Sequence, residues 1–140
     1  MRKQLNAPVP GITRRTLAYE KDDGGRSKYY KGSKAGDCVI RAIAIATDQD
    51  YKVVYYELTS IAMPMGLYAN DDKVWKKYLK SLGWTEHKFG RDAKDLIDTK
   101  LPHYRCIAVT NSHLSAVIGN TIYDTWNPSD RKCWRYWYDK

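Results

Sequence analysis

A cysteine stands where a small polar turn becomes an apolar helix: Gly36-Asp37-Cys38 runs into Val39-Ile40-Arg41-Ala42-Ile43-Ala44-Ile45-Ala46-Thr47. At a helix N-terminus, unpaired backbone N–H groups and the positive end of the helix dipole favour thiolate over thiol. The chemistry expected of Cys38 is therefore nucleophilic attack near neutral pH. A thiol nucleophile needs a base, and among His87, His103 and His113 only the last has suitable surroundings. Residues 104–110 read as a strand, 113–118 as a second and 121–126 as a third, with Gly119-Asn120 as the hairpin turn between the last two. Pairing Ile118 with Thr121 sets Ser115 opposite Asp124 and His113 opposite Trp126. His113 and Asp124 then share a face as diagonal neighbours, about 7–8 Å apart at the backbone and within side-chain reach. Asp124 accepts from one ring nitrogen, fixes the tautomer and turns the other nitrogen toward Cys38. Asn127 is the alternative orienting group, but Pro128 ends the strand near it and favours Asp124.

Taken singly, a buried structural thiol, a strand-end histidine and a turn-flanking carboxylate are ordinary features. Taken together, in the order Cys, His, Asp, they predict a catalytic triad of Cys38, His113 and Asp124. The elements that must carry it follow from hydrophobic spacing. The helix behind Cys38 has one charged position, Arg41, before Thr47, so burial on nearly all sides is expected. Asp37 beside the sulfur opposes a thiolate unless it caps the helix or pairs with a base such as Arg41. A second helix is predicted over residues 51–62, capped by Asp48 or Asp50 and ended by Pro64 and Gly66. A third is predicted over 71–82, with Val74, Trp75, Tyr78 and Leu79 inward and its lysines solvated. Residues 92–98 suit a short helix, and 133–138 an aromatic strand that completes the sheet. Helices first and sheet second is an α+β arrangement. Trp84 and Trp126 are candidate walls for a cleft, and Cys106 and Cys133 read as structural thiols.

On these residues the chain, over about 30–138, resembles the papain-like cysteine peptidase superfamily, in which a Cys opens a central helix and a His then Asn or Asp follow on the sheet. Gly36-Asp37-Cys38 with Arg41-Ala42 is similar to the Gly-Asn-Cys-(two apolar)-Arg-Ala signature of ovarian-tumour-type deubiquitinases. His113-Leu114-Ser115-Ala116-Val117 followed by Asp124-Thr125-Trp126-Asn127-Pro128 resembles small papain-like proteins of phages and bacteria. The resemblance implies a papain-like fold and a cysteine protease or related thiol hydrolase, acting on peptide, isopeptide or amide bonds without a cofactor. Papain-like enzymes usually place an oxyanion-binding Gln before the Cys, and residues 7–37 hold neither Gln nor Asn. The second donor is then expected from another backbone group, from Tyr30, Ser33 or Lys34, or from elsewhere in the fold.

The 140 residues suit one catalytic domain, taken as 35–140, preceded by an arm over 1–34. That arm holds nine basic and three acidic residues, so it supplies six of the net +8 charges. Pro8, Pro10, Gly11 and Gly24-Gly25 discourage helix there, so the arm either wraps the body or stays partly mobile. Three cysteines without a Cys-x-x-Cys pair predict free thiols rather than a disulfide framework or a zinc site. With no long apolar run and no signal-peptide pattern, neither a membrane partner nor secretion is indicated, and a cytoplasmic location is expected. The expected partner is a protein or peptide substrate. A second class of function stays open: a basic binding module on a catalytically silent fold, with Arg14, Arg15, Arg26, Lys28, Tyr29, Tyr30, Lys31 and Lys34 meeting nucleic-acid phosphates and bases nonspecifically, or an acidic protein.

Overall fold

Eight consecutive buried residues, Val39 through Ala46, decide the architecture, because a helix that is covered all round must be enclosed by other elements. A computed structural model describes residues 17–29, 31 and 36–139. In chain order its elements are β1 (Ala18–Lys21), α1 (Cys38–Thr47), α2 (Tyr51–Met65), α3 (Asp72–Ser81), β2 (Thr85–Lys88), β3 (Lys94–Asp95), β4 (Arg105–Thr110), β5 (His113–Ile118), β6 (Thr121–Asp124), β7 (Lys132–Cys133) and β8 (Arg135–Tyr138). Among the described residues this is an α+β fold: three α-helices, a six-stranded sheet in the order β1-β6-β5-β4-β8-β2, and a small β3-β7 pair. The pairings of the large sheet are antiparallel except β1 with β6, which is parallel.

α1 lies across β5, β4 and β6, and α2 packs against it in turn. Ile43 and Ile45 are fully buried, as are Val54 and Leu58 of α2 and Ile107 and Ile118 of the sheet. Each such side chain contributes roughly 1.5–3 kcal/mol by leaving water. A second core lies beneath the other sheet face, where Leu96, Leu101, Cys106, Val117, Ile122, Cys133 and Tyr136 meet. The hairpin register is as the turn residues require: Ile118 pairs Thr121 and Ala116 pairs Tyr123, with Gly119 at φ 55° and Asn120 at φ 68°. Both central residues at positive φ give the turn whose twist matches the strands.

Several local expectations need correction. α2 runs on through Pro64 to Met65 and ends at Gly66, whose φ is 68°. In the last turn a proline forfeits only the bond to the carbonyl four residues back, here that of the exposed Ser60. Asp50, not Asp48, caps α2, accepting from the Lys52 N–H at 3.1 Å; Asp48 instead closes α1 in the left-handed region. Residues 92–98 do not form one helix. Single 3₁₀ turns at Gly90–Asp92 and Leu96–Asp98 flank β3, because the segment is tied by backbone bonds to Ser129 and Arg131. The aromatic C-terminal stretch is broken at Trp134 into β7 and β8. Trp84 is buried in the helical core, not set along a cleft.

Over residues 17–29 the basic N-terminal segment lies on the body. β1 pairs with β6 at the sheet edge, Tyr29 stacks on Tyr51 at 6.3 Å, and its hydroxyl donates to Asp50 at 2.5 Å. Gly24, at φ 70°, approaches α1 so closely that a Cβ would stand 3.1 Å from the Arg41 backbone, so a side chain there would be strained and would crowd α1. Among the described residues no helix is long and apolar enough to cross a membrane.

Candidate active site

Cys38 is the first residue of α1, behind a turn made by Gly36 at φ 58°. Asp37 sits at the N-cap position without capping, its side chain drawn instead to cations. Its Oδ1 accepts from Arg26 at 3.0 Å and from Arg41 one turn on, and its Oδ2 accepts from the Tyr51 hydroxyl at 2.8 Å. The carboxylate beside the sulfur is thereby neutralised, and the backbone N–H groups of the first turn remain available.

β5 begins at His113 and β6 ends at Asp124, so the hairpin brings both to the mouth of α1. His113 Nε2 lies 2.6 Å from Asp124 Oδ2. With Nε2 committed there, Nδ1 is the ring nitrogen left for the Cys38 thiol, which shares the cleft with His113 and is electrostatically coupled to it. Asp124 is itself held on every side: the Ser115 hydroxyl donates to Oδ2 at 2.5 Å, the Thr125 N–H to Oδ1 at 2.7 Å, and Arg41 Nη2 reaches Oδ1 at 3.4 Å. Its main-chain carbonyl accepts from the Tyr19 hydroxyl and the Asp22 N–H, so β1 braces it from outside. The Trp126 ring lies 4.7 Å from that of His113 and covers one side of it.

The electrostatics follow from these contacts. Burial works against a charged Cys38, but the hydrogen bond from His113, the Leu114 N–H, and the positive charges of His113 and Arg41 outweigh it and hold the thiol below its usual range. Burial likewise works against imidazolium, yet the Asp124 hydrogen bond, with Cys38 as a second partner, pushes His113 up to about 9. Asp124 is held below the usual carboxylate range: burial opposes this, while His113 and Ser115 overcome it through hydrogen bonds. A lowered thiol beside a raised imidazole shifts the pair toward thiolate and imidazolium.

These groups open on a cleft of about 1190 Å³ that runs past Trp126 and Trp134, each roughly two-fifths exposed. Trp134 donates its indole N–H to Asn111 at 2.7 Å, which fixes that wall. The three residues singled out from sequence are thus brought together, and Asp124, not Asn127, faces His113. Trp126 lines the cleft as expected; Trp84 does not. Tyr30, Ser33 and Lys34, named as possible oxyanion donors, lie outside the described residues, as do Arg14 and Arg15 of the basic arm. Sequence reasoning missed Arg26, Tyr51 and Tyr19 as supports. The signal for one of them was present: a lone arginine in an aliphatic helix demands buried acidic partners, and Asp37 in turn takes a second cation.

Comparison with known proteins finds no matching family model, curated protein or solved structure.

Proposed function

We propose that the protein is a cysteine peptidase or related thiol acyl-transfer hydrolase of papain-like architecture, with Cys38 as nucleophile, His113 as acid and base, and Asp124 as the orienting acid. The observation that carries this reading is the continuous chain of contacts from Cys38 at the start of α1 through His113 to Asp124. The order of a nucleophile helix followed by a sheet bearing histidine and acid supports it, as does the cleft beside them.

In this reading the Cys38 thiolate attacks a carbonyl carbon. The developing oxyanion takes the Cys38 backbone N–H, which α1 leaves unpaired at its first turn. His113, already protonated, gives its proton to the leaving amine as the carbon–nitrogen bond breaks, which leaves a thioester on Cys38. Water then attacks the thioester, His113 takes its proton, and the acid and the thiol site are regenerated. Asp124 keeps its proton-accepting role to Nε2 throughout, so Nδ1 stays aimed at the sulfur. Trp126 shields the His113–Asp124 bond from water and so strengthens it.

The test is a panel of peptide, isopeptide and glutamine-amide substrates followed by amine release and intact mass. Amine release with a transient acyl adduct, both lost in Cys38→Ala, is expected. Turnover that survives Cys38→Ala overturns the assignment.

A further inference from the structure

Beyond the three groups that touch substrate, one buried cation links everything that positions them. Arg41 projects from α1 one turn after Cys38 and is about nine-tenths buried, on a helix whose other core positions are aliphatic. Its two terminal nitrogens divide between two carboxylates: Nη1 to Asp37 and Nη2 to Asp124. Arg26 meets the same Asp37 oxygen at 3.0 Å, and His113 meets the other oxygen of Asp124 at 2.6 Å. Arg26, Asp37, Arg41, Asp124, His113 and Cys38 therefore form one file of alternating charge from the N-terminal segment to the sulfur. It is neutral when Cys38 is a thiolate and His113 an imidazolium.

We propose that Arg41 is a positioning residue of the thiol site: one arm of its guanidinium holds Asp124 against His113, while the other, locked by Asp37 and Arg26, ties the site to the N-terminal segment. The inference rests on the thiol reading above. Stability alone does not explain the arrangement, because a buried ion pair commonly gains no more than well-packed apolar groups would. The fork geometry does explain it, since a planar guanidinium spans two carboxylates and an ammonium meets them as a point charge. The route through the fold is equally specific. Gly24 lets the N-terminal segment press on the Arg41 backbone, which brings Arg26 to Asp37, while β1 and Tyr19 brace the far side of Asp124.

Other charged and titratable groups near the sulfur come from each neighbouring element. Lys21 and Asp23 lie on the N-terminal side of the cleft, Asp72 on α3 and Arg135 on β8, with the Tyr51 hydroxyl of α2 on Asp37. Arg135 is engaged by Glu86 at 3.2 Å. None of these joins the two carboxylates as Arg41 does.

The test is the pH profile of Cys38 alkylation by iodoacetamide in the full chain, for wild type, Arg41→Gln, Arg41→Lys, Asp37→Asn and Arg26→Gln, with the His113 titration followed by NMR. Arg41→Gln is expected to move the Cys38 limb up by on the order of one pH unit, a tenfold change in reactivity below it. It also lowers the His113 pKa by loosening Asp124. Arg41→Lys restores part of the shift, because it keeps the charge but not the fork. Asp37→Asn, which unlocks the other arm of Arg41, moves the limb in the Arg41→Gln direction by less. Arg26→Gln, on a less buried side chain that leaves the fold intact, moves it in the Arg41→Gln direction by less. Simple loosening of the core would leave Arg41→Lys no faster than Arg41→Gln, so a missing rescue by lysine overturns the proposal, as does an unmoved profile in Arg26→Gln and Arg41→Gln. A wild-type Cys38 that is not activated refutes the thiol reading itself, and a normal wild type with unmoved variants refutes only the role of Arg41.

Discussion

The two faces of the large sheet each enclose cysteine sulfur and treat it in opposite ways. On the helical face Cys38 is surrounded by an imidazole, a backbone N–H and the charge of Arg41, and its thiol is held low. On the other face Cys133 lies in a dry core, its Sγ donating to the Arg135 carbonyl at 3.3 Å, and burial pushes it up to about 11. Burial penalises the thiolate in both places. What separates them is that the helical face supplies compensating positive charge and hydrogen-bond donors and the other face supplies almost none. The arrangement of α1 against the β5–β6 hairpin, not the presence of a thiol, is what lowers the Cys38 pKa.

The largest separation between the faces comes from deleting each sulfur. Cys38→Ala is expected to remove hydrolytic turnover by about 10⁴-fold or more, while Cys133→Ala leaves it unchanged and costs roughly 1 kcal/mol of stability, read by chemical denaturation. Next in size, His113→Ala should cut turnover about 10²–10⁴-fold and make Cys38 alkylate like a core thiol, which a mass-spectrometric rate comparison with Cys133 checks. Asp124→Asn keeps the shape but not the charge, and a smaller loss than that of His113→Ala is expected, with His113 titrating lower by NMR.

The pH dependence sharpens the same contrast. In the proposed mechanism, turnover requires thiolate together with imidazolium. Because the Cys38 pKa is lowered, kcat/KM rises with pH through a limb below the usual thiol value, and because His113 is raised, it falls again only near about 9. A bell-shaped profile is expected, with a plateau between the lowered thiol limb and the imidazolium limb. The smallest effect is that of Trp126→Ala, which exposes the His113–Asp124 bond and is expected to narrow that plateau without abolishing activity.

The parts of this site that were legible in sequence are those set by local rules. Gly119-Asn120 dictates a two-residue turn, the turn dictates register, and register puts His113 and Asp124 together. The apolar run after Cys38 dictates a buried helix, and the spacing of Val74, Trp75, Tyr78 and Leu79 dictates the inner face of α3. What escaped was non-local. β1 is exposed at all four positions, so it carries no alternation to mark it, and its parallel partner lies about a hundred residues away. The grip of Arg26 on Asp37 depends on that docking and on Gly24 against α1. Residues 92–98 have helical composition but are divided into a short strand and 3₁₀ turns by backbone bonds to Arg131 and Ser129, a case of tertiary bonds overriding propensity.

The central claim is that Cys38 is an activated thiolate because His113 faces it. Its most direct measurement is the iodoacetamide alkylation rate of Cys38 from pH 5 to 10, followed by mass spectrometry on wild type and His113→Ala, with Cys106 and Cys133 as internal controls. The account predicts fast, selective labelling of Cys38 well below pH 8 that is lost in His113→Ala. Labelling of Cys38 no faster than the controls, or unchanged by His113→Ala, would contradict it.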